Sequence, residues 1–261
     1  MEEQPTVTTV ADGVARVSWG SAIHRDGLWE AVDVVRREVE AALSAHGRVE
    51  AWVASDDLTG QRVATWAGMR REGVMRGVGG DRIVYARLES DAPASEPEGF
   101  RALLNSFLPR KRAISQMLVR DPDDRVLMCQ LTYKQDWDLP GGVVEVGESP
   151  QVAVSREVSE ELGLDIKAGN LVLTDWLPPW SGWDDALCLV FDGGVHPATI
   201  VEDVVREERE IRAAEFLTAE QVRERAADFT ARRVESALTN LPRRAGVHRV
   251  RAVAEPRQRI R

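Results

Sequence analysis

The stretch that most restricts this chain is SPQVAVSREVSEELGL, running from Ser149 to Leu164. Ser149 is a good helix N-cap, Pro150 suits the first helical position, and Gly163 offers a left-handed stop. The segment between them therefore predicts a helix, with Val154, Val158 and Leu162 as the apolar stripe that docks it on a sheet. Yet its last turn and a half carries Glu157, Glu160 and Glu161, where the helix dipole disfavours anions. These positions stand in i, i+3, i+4 relation, so the carboxylates share one face. At Cβ separations of roughly 6 Å and an effective dielectric of about 20, each pair repels by about 3 kcal/mol before splaying and screening reduce it. Arg156 is adjacent, and one arginine is not expected to neutralise three carboxylates.

A divalent cation reverses the sign of that sum. Magnesium takes oxygen ligands at about 2.0–2.1 Å and keeps several waters, so carboxylates from one helical face and a backbone carbonyl make a partial shell. The pair Gly141–Gly142 lies just upstream, where glycine lets a carbonyl approach closely. The loop VVEVGE brings Glu148 toward the same face, where it can pair with Arg156.

Gly142, Glu148, Arg156, Glu157, Val158, Glu160, Glu161, Gly163 and Leu164 fill every fixed position of the pattern G-x5-E-x7-R-E-U-x-E-E-x-G-U, with U apolar. That pattern is the Nudix box, and WDLPGG before it resembles the usual lead-in. From about Arg110 to Leu241 the chain therefore resembles the Nudix hydrolase family. The resemblance implies a Nudix α/β/α sandwich and a metal-dependent diphosphatase that cleaves a nucleoside diphosphate derivative by water attack at phosphorus. It implies Glu157, Glu160 and Glu161 as ligands of Mg2+ or Mn2+, and the Gly141 carbonyl as a further one. Glu148 becomes a supporting carboxylate, and Arg156 orients Glu157 and anchors the loop. For the general base, Glu157 is the choice within the box. Glu210, with its neighbours Glu207 and Glu208, offers a downstream carboxylate, and the same run also reads as a solvated charge cluster.

The substrate is less constrained. Trp176, Trp180 and Trp183 surround a proline and glycine turn. They could stack on a nucleobase, a contact worth roughly 1–3 kcal/mol, or cap the core of a hairpin. Pro179 stands fifteen positions beyond Leu164, as in the ADP-ribose hydrolases of the family, while nucleoside triphosphates remain the other substrate class. The rival to an enzyme is a non-catalytic nucleotide-sensing domain coupled to the N-terminal part of the chain.

That N-terminal part, residues 1–90, alternates strand and helix in too few residues for a large core. VARVSWG, RVEAWVAS and DRIVYARLES predict strands. Leu28, Val32, Val35, Val39 and Leu43 form a helical stripe between the first two, and a second helix covers about 59–67. SDDLTGQRVATWAGMRREGVMRG followed by DRIVYARL resembles the closing half of a GNAT-type acetyltransferase, with Gly68-Met69 and Glu72-Gly73 in place. Asp57 and Gly60 stand where that pattern has asparagine and serine. WGSAIHRDGLW lacks the glycine-spaced loop that would hold a pyrophosphate at a helix N-terminus. The expectation is a small GNAT-like partial α/β domain without acetyltransferase activity, serving packing, dimerisation or regulation. A homodimer is compatible with it.

ESDAPASEPEG, rich in acids, proline and small residues, predicts a linker over 91–100, so the domain that carries the box spans 101–241. After the linker FRALLNSFL predicts a helix, and AISQMLVR with RVLMCQLT predicts a β-hairpin around DPDD. Strands follow at LVLTDWL and ALCLVFDGG, and EIRAAEFL suits either strand or extended loop. TAEQVRERAADF and ARRVESALTNL close the domain as amphipathic helices. The final 242–261 set seven arginines against Glu255, which reads either as a solvated terminus or as an anion-capturing tail. A net charge of −9 argues against sequence-independent binding of nucleic acid or anionic membranes. MEEQPTVTTV lacks the basic and apolar regions of a signal peptide, and Cys129 and Cys188 sit in separate apolar runs without disulfide or zinc spacing. The expected location is cytoplasmic.

Overall fold

A computed structural model of the chain describes residues 4–20, 23, 27–133 and 135–241. The arginine-rich 242–261 lie outside the described residues. The chain divides after Pro109 into two compact units, each with its own apolar core.

The first unit runs β1 (Thr6–Ala11), β2 (Val14–Ser18), α1 (Leu28–Leu43), β3 (Arg48–Ala54), α2 (Leu58–Trp66), β4 (Arg70–Met75), β5 (Arg82–Leu88) and α3 (Pro97–Phe107). Its sheet has the order β1-β2-β3-β5-β4, with β2 and β3 parallel and the other pairs antiparallel. A parallel pair needs a crossover, and α1 provides it. Val32, Val35 and Val39 of the foreseen stripe are fully buried against Val49, Ala51 and Val53, which mark the inward period of β3 together with the edge of α2. Two strands escape the sequence pattern. β1 is exposed along its whole length and β4 presents no bulky apolar face that is buried, so neither shows an apolar period in the sequence.

The linker composition of 91–100 places the helix after it in the second unit. That boundary moves. Pro97 already opens α3, which stays with the first unit: Leu103 is buried, and the Arg71 amide donates to Ser106 Oγ at 3.1 Å. A linker period cannot say which core an amphipathic helix will cover.

The second unit runs β6 (Arg112–Arg120), β7 (Val126–Leu131), β8 (Trp137–Asp138), β9 (Gly141–Val143), α4 (Pro150–Leu162), β10 (Leu171–Leu177), β11 (Ala186–Val195), a 3-10 turn (Ala198–Asp203), β12 (Ile211–Leu217), α5 (Ala219–Arg225) and α6 (Asp228–Asn240). The sheet order is β10-β11-β6-β7-β12, with β6 and β11 parallel. Successive residues of β6 and β7 point to opposite cores. Met117, Val119, Leu127 and Cys129 face Val154, Val158 and Leu162 of α4, while Leu118, Val126 and Met128 pack with Val222, Val234 and Ala237 of α5 and α6. The result is the expected α/β/α sandwich, with a sheet buried on both faces. Cys129 and Cys188 are buried and free. No helix of the described residues is long and apolar enough to cross a membrane.

The foreseen β6–β7 hairpin forms but pairs only at its tip, Arg120 with Val126, where Asp121 accepts the Asp123 and Arg125 amides at 3.0 and 2.9 Å. Beyond the tip the strands part and WDLPGGV threads between them. β8 pairs Cys129 with Asp138, and β9 pairs Gln116 with Gly141 and Ser115 with Gly142. This insertion puts the two glycines in the middle of the sheet, under α4.

Candidate active site

Local chemistry sets α4 where the sequence predicts it. The Ser149 hydroxyl accepts the Val152 amide at 3.3 Å, and Gly163 ends the helix in the left-handed region at φ 67°. Two carbonyls of the last turn, left over by the helix itself, find partners on the segment after the 3-10 turn. Glu161 O accepts the Glu207 amide at 3.0 Å and Leu162 O accepts the Val205 amide at 2.9 Å. That capping carries residues 205–210 onto the acidic end of the helix.

Below α4, Gly141 has φ 132°, and a side chain there would strike the Ser115 carbonyl. At Gly142 the constraint is different: a Cβ would stand 2.6 Å from the Glu157 carboxyl carbon. The glycine thus leaves a cradle into which Glu157 reaches.

Arg156 touches three carboxylates. Its Nε and Nη2 donate to the two oxygens of Glu148 at 3.0 and 3.1 Å, Nη1 donates to Glu160 at 2.7 Å, and Nη2 lies 3.0 Å from Glu157. One arginine therefore contacts three acids, because the planar guanidinium fork presents donors in several directions, while its single charge leaves the group net negative. Hydrogen bonding from Arg156 pulls Glu148 below the usual glutamate range, and the same contact with Glu148 holds Arg156 firmly charged.

Glu161 is left outside that arrangement. Only 6% exposed, its carboxylate accepts the Gly141 amide at 3.0 Å and meets no cationic side chain among the described residues. Burial pushes it up to about 8; the Gly141 amide opposes this, and the charges of Glu157, Glu210 and Asp138 add to it. Glu157 is also raised, first by burial, with Arg156 opposing and Glu160 and Glu210 reinforcing. Glu210 is thereby separated from its neighbours. Its charge reaches both Glu157 and Glu161, whereas the Glu207 carboxylate accepts the Arg209 amide at 3.3 Å within its own turn. No comparable link to the box is present for Glu208 among the described residues.

Among the described residues no three His, Cys, Asp or Glu side chains converge closely enough to enclose an ion. Glu148, Glu157 and Glu160 turn to Arg156, and Glu161 turns to the Gly141 amide. The donor set still suits a hard divalent cation. It consists of oxygens, it carries more negative charge than Arg156 balances, and its most buried member is held out of water with no counter-charge.

The tryptophans lie elsewhere. Trp176 donates from Nε1 to Asp185 at 3.0 Å. Trp180 and Trp183, 67% and 61% exposed, close the β10–β11 turn; Trp180 meets the Phe229 ring at 6.5 Å, and the Arg112 guanidinium lies 4.8 Å over Trp183. Among the described residues their neighbours do not include the box glutamates.

Sequence reasoning misses a second polar cluster. Arg233 of α6, buried on the other side of the sheet, contacts Asp175, Gln116 and Asp138. Gln116 and Asp175 each interrupt the apolar run of a strand, and that interruption is the signal that could have marked them.

Comparison with known proteins covers the same part of the chain. A model of the NUDIX domain matches residues 109–237. A MutT-like protein of Streptomyces ambofaciens is 32% identical over 130 residues, 48% of this chain and 75% of that protein. Nucleoside triphosphatase NudI of Escherichia coli O1:K1 / APEC is 30% identical over 115 residues, 41% of this chain and 77% of that protein. The crystal structure of MutT protein from Methanosarcina mazei Go1 aligns with 51% of this chain and 97% of its own, at 23% identity and a TM-score of 0.44.

Proposed function

This chain belongs to the NUDIX family of pyrophosphohydrolases, and we propose that it is a metal-dependent hydrolase that cleaves the diphosphate linkage of a nucleoside diphosphate derivative. The observation that carries the reading is Glu161: a carboxylate buried without a cation among the described residues, within reach of the charges of Glu157 and Glu210, over a glycine strand. In this reading Glu157, Glu160, Glu161 and the Gly141 carbonyl hold Mg2+ or Mn2+. Such an ion neutralises the diphosphate, makes a bound water a better nucleophile and stabilises charge on the transferring oxygens.

The chain's own groups then have distinct tasks. Glu148 grips Arg156 through both oxygens, and Arg156 holds Glu157 and Glu160 on the side of the helix that faces the loop. Glu157, raised by its burial, is the first choice to take the proton from the attacking water, and Glu210 is the second. Trp180 and Trp183 offer exposed rings to a nucleobase. The relative named nucleoside triphosphatase favours a triphosphate, and Pro179 favours an ADP-ribose-like substrate. Free, buried cysteines fit a reducing, cytoplasmic setting.

For the first unit we keep the GNAT-like reading, as a non-catalytic partner of the hydrolase. It is supported by one parallel strand pair bridged by α1, followed by α2 and an antiparallel β4–β5 pair that carries Glu72-Gly73.

The test is hydrolysis of a nucleotide panel with magnesium or manganese. Wild type is expected to turn over at least one diphosphate, and Glu160→Gln and Glu161→Gln to lower kcat by about 100-fold or more. Tight nucleotide binding without turnover would instead favour the sensor reading.

A further inference from the structure

Arg233 sits in the middle of α6 with its side chain 1% exposed. Burying a guanidinium is costly unless its donors are satisfied, and a well-packed apolar residue often stabilises as much. Nε donates to Asp175 at 3.0 Å and Nη1 to the Gln116 carbonyl oxygen at 3.0 Å, with Asp138 3.9 Å away. Nη2 has no hydrogen-bond partner among the described residues. Stability alone is a poor account of such a group.

Its consequence is for Gln116. Because the arginine takes the carbonyl end of that carboxamide, the NH2 end faces the other way. It donates to Asp138 Oδ1 at 2.9 Å and reaches the Leu139 carbonyl at 3.4 Å. Without the arginine the carboxamide could rotate and set its oxygen against the Asp138 carboxylate. Asp138 in turn accepts the Leu139 amide at 2.9 Å and lies 3.4 Å from the Thr230 hydroxyl of α6. The main chain follows the same line: Gln116 pairs with Gly141, and the Met117 amide donates to the Pro140 carbonyl at 2.9 Å. The next link is the Gly141 amide on Glu161 at 3.0 Å.

We infer that Arg233 is a positioning residue for the metal loop: through Gln116 it fixes the Asp138–Gly141 strand, and with it the Gly141 amide and carbonyl beside Glu161. The inference rests on the reading of Glu161 and Gly141 as part of the metal site. It accounts for an arginine standing where an apolar side chain would pack: the group sets the direction of a carboxamide, a task no methyl can perform.

Manganese binding to the full chain, followed by electron paramagnetic resonance without substrate, tests the inference. Arg233→Met and Gln116→Leu should each weaken manganese binding about 10-fold or more, the loss typical of groups that orient ligands from behind. The double variant should be little worse than either single, since both cut one link. In turnover, kcat should fall while KM for the nucleotide changes little. Gln116→Leu keeps the Arg233–Asp175 pair, so it still decides the question if Arg233→Met does not fold. Folded variants that bind manganese as tightly as wild type overturn the inference alone. Wild type that binds no manganese overturns the metal reading beneath it, and the inference with it.

Discussion

Charged side chains around the box of the second unit are used differently from those of the first unit. In the first, they pair acid to base near the surface of the sheet. Arg16 meets Glu50, Arg48 meets Glu72 and reaches Glu50, and Arg70 meets Asp91. Around the box of the second, one arginine meets three carboxylates, and among the described residues Glu161 is buried with no cation and Arg233 keeps a buried donor unpartnered. The departures from local pairing gather around the box, within a few residues of one another, as is expected of a functional site. The imbalance makes sense when a further charged species is part of the working molecule.

Glycine substitutions put the sharpest strain on this contrast. Gly142→Ala would set a methyl 2.6 Å from the Glu157 carboxyl group, at the far end of a flexible side chain. The carboxylate can swing away at little cost to folding, but it leaves its place. Turnover is expected to fall on the order of 100-fold, as for a catalytic group misplaced by about an ångström, with the melting temperature barely changed. Gly73→Ala in the first unit meets open space, and kcat should not move. Equal effects on kcat would erase the distinction.

A smaller effect is expected from pH, and its sign differs between the units. Glu161 stays protonated in the folded protein up to about 8, whereas the unfolded chain ionises near the ordinary value of 4.5. Between those values the folded state binds more protons, so without metal stability should decline as pH rises through that window, by up to a few kcal/mol, and level off above it. Denaturant titrations with chelator at several pH values should show this slope in wild type and not in Glu161→Gln. Saturating magnesium should remove it, because the cation favours the ionised form. Glu72 in the first unit is lowered by its hydrogen bond from Arg48, so its contribution is present near neutrality and is lost as pH falls through the acid range.

The smallest expected change is loss of that surface pair. Glu72→Gln removes a partly exposed ion pair, worth below about 1 kcal/mol, and should shift the denaturation midpoint slightly with no effect on hydrolysis. A large loss would mean that the first unit also carries a charge arrangement under strain.

Much of both units is legible along the chain, for reasons visible in particular elements. The stripe Val32, Val35 and Val39 and the capped helix at Ser149–Gly163 obey periods of a few residues, and the structure buries and caps them as those periods require. EIRAAEFL, undecided between strand and loop, becomes β12 because β7 offers it an edge to pair with. The short β8 and β9 have no period of their own and exist only where β6 and β7 part. Arg156 was placed beside its acids by the motif, but its three-way contact depends on how the loop with Glu148 folds back.

By itself the sequence determined the class of fold, the box and the identity of its carboxylates, since those are written in local spacing and in residue type. The tertiary structure decided that α3 belongs to the first unit, that the segment with Val205 and Glu207 caps the acidic end of α4, and that Arg233 meets Gln116 across 117 positions of chain. Local periods report which side of an element is apolar. Which distant group that side meets depends on strand register and loop closure, and these are settled only when the whole sheet assembles.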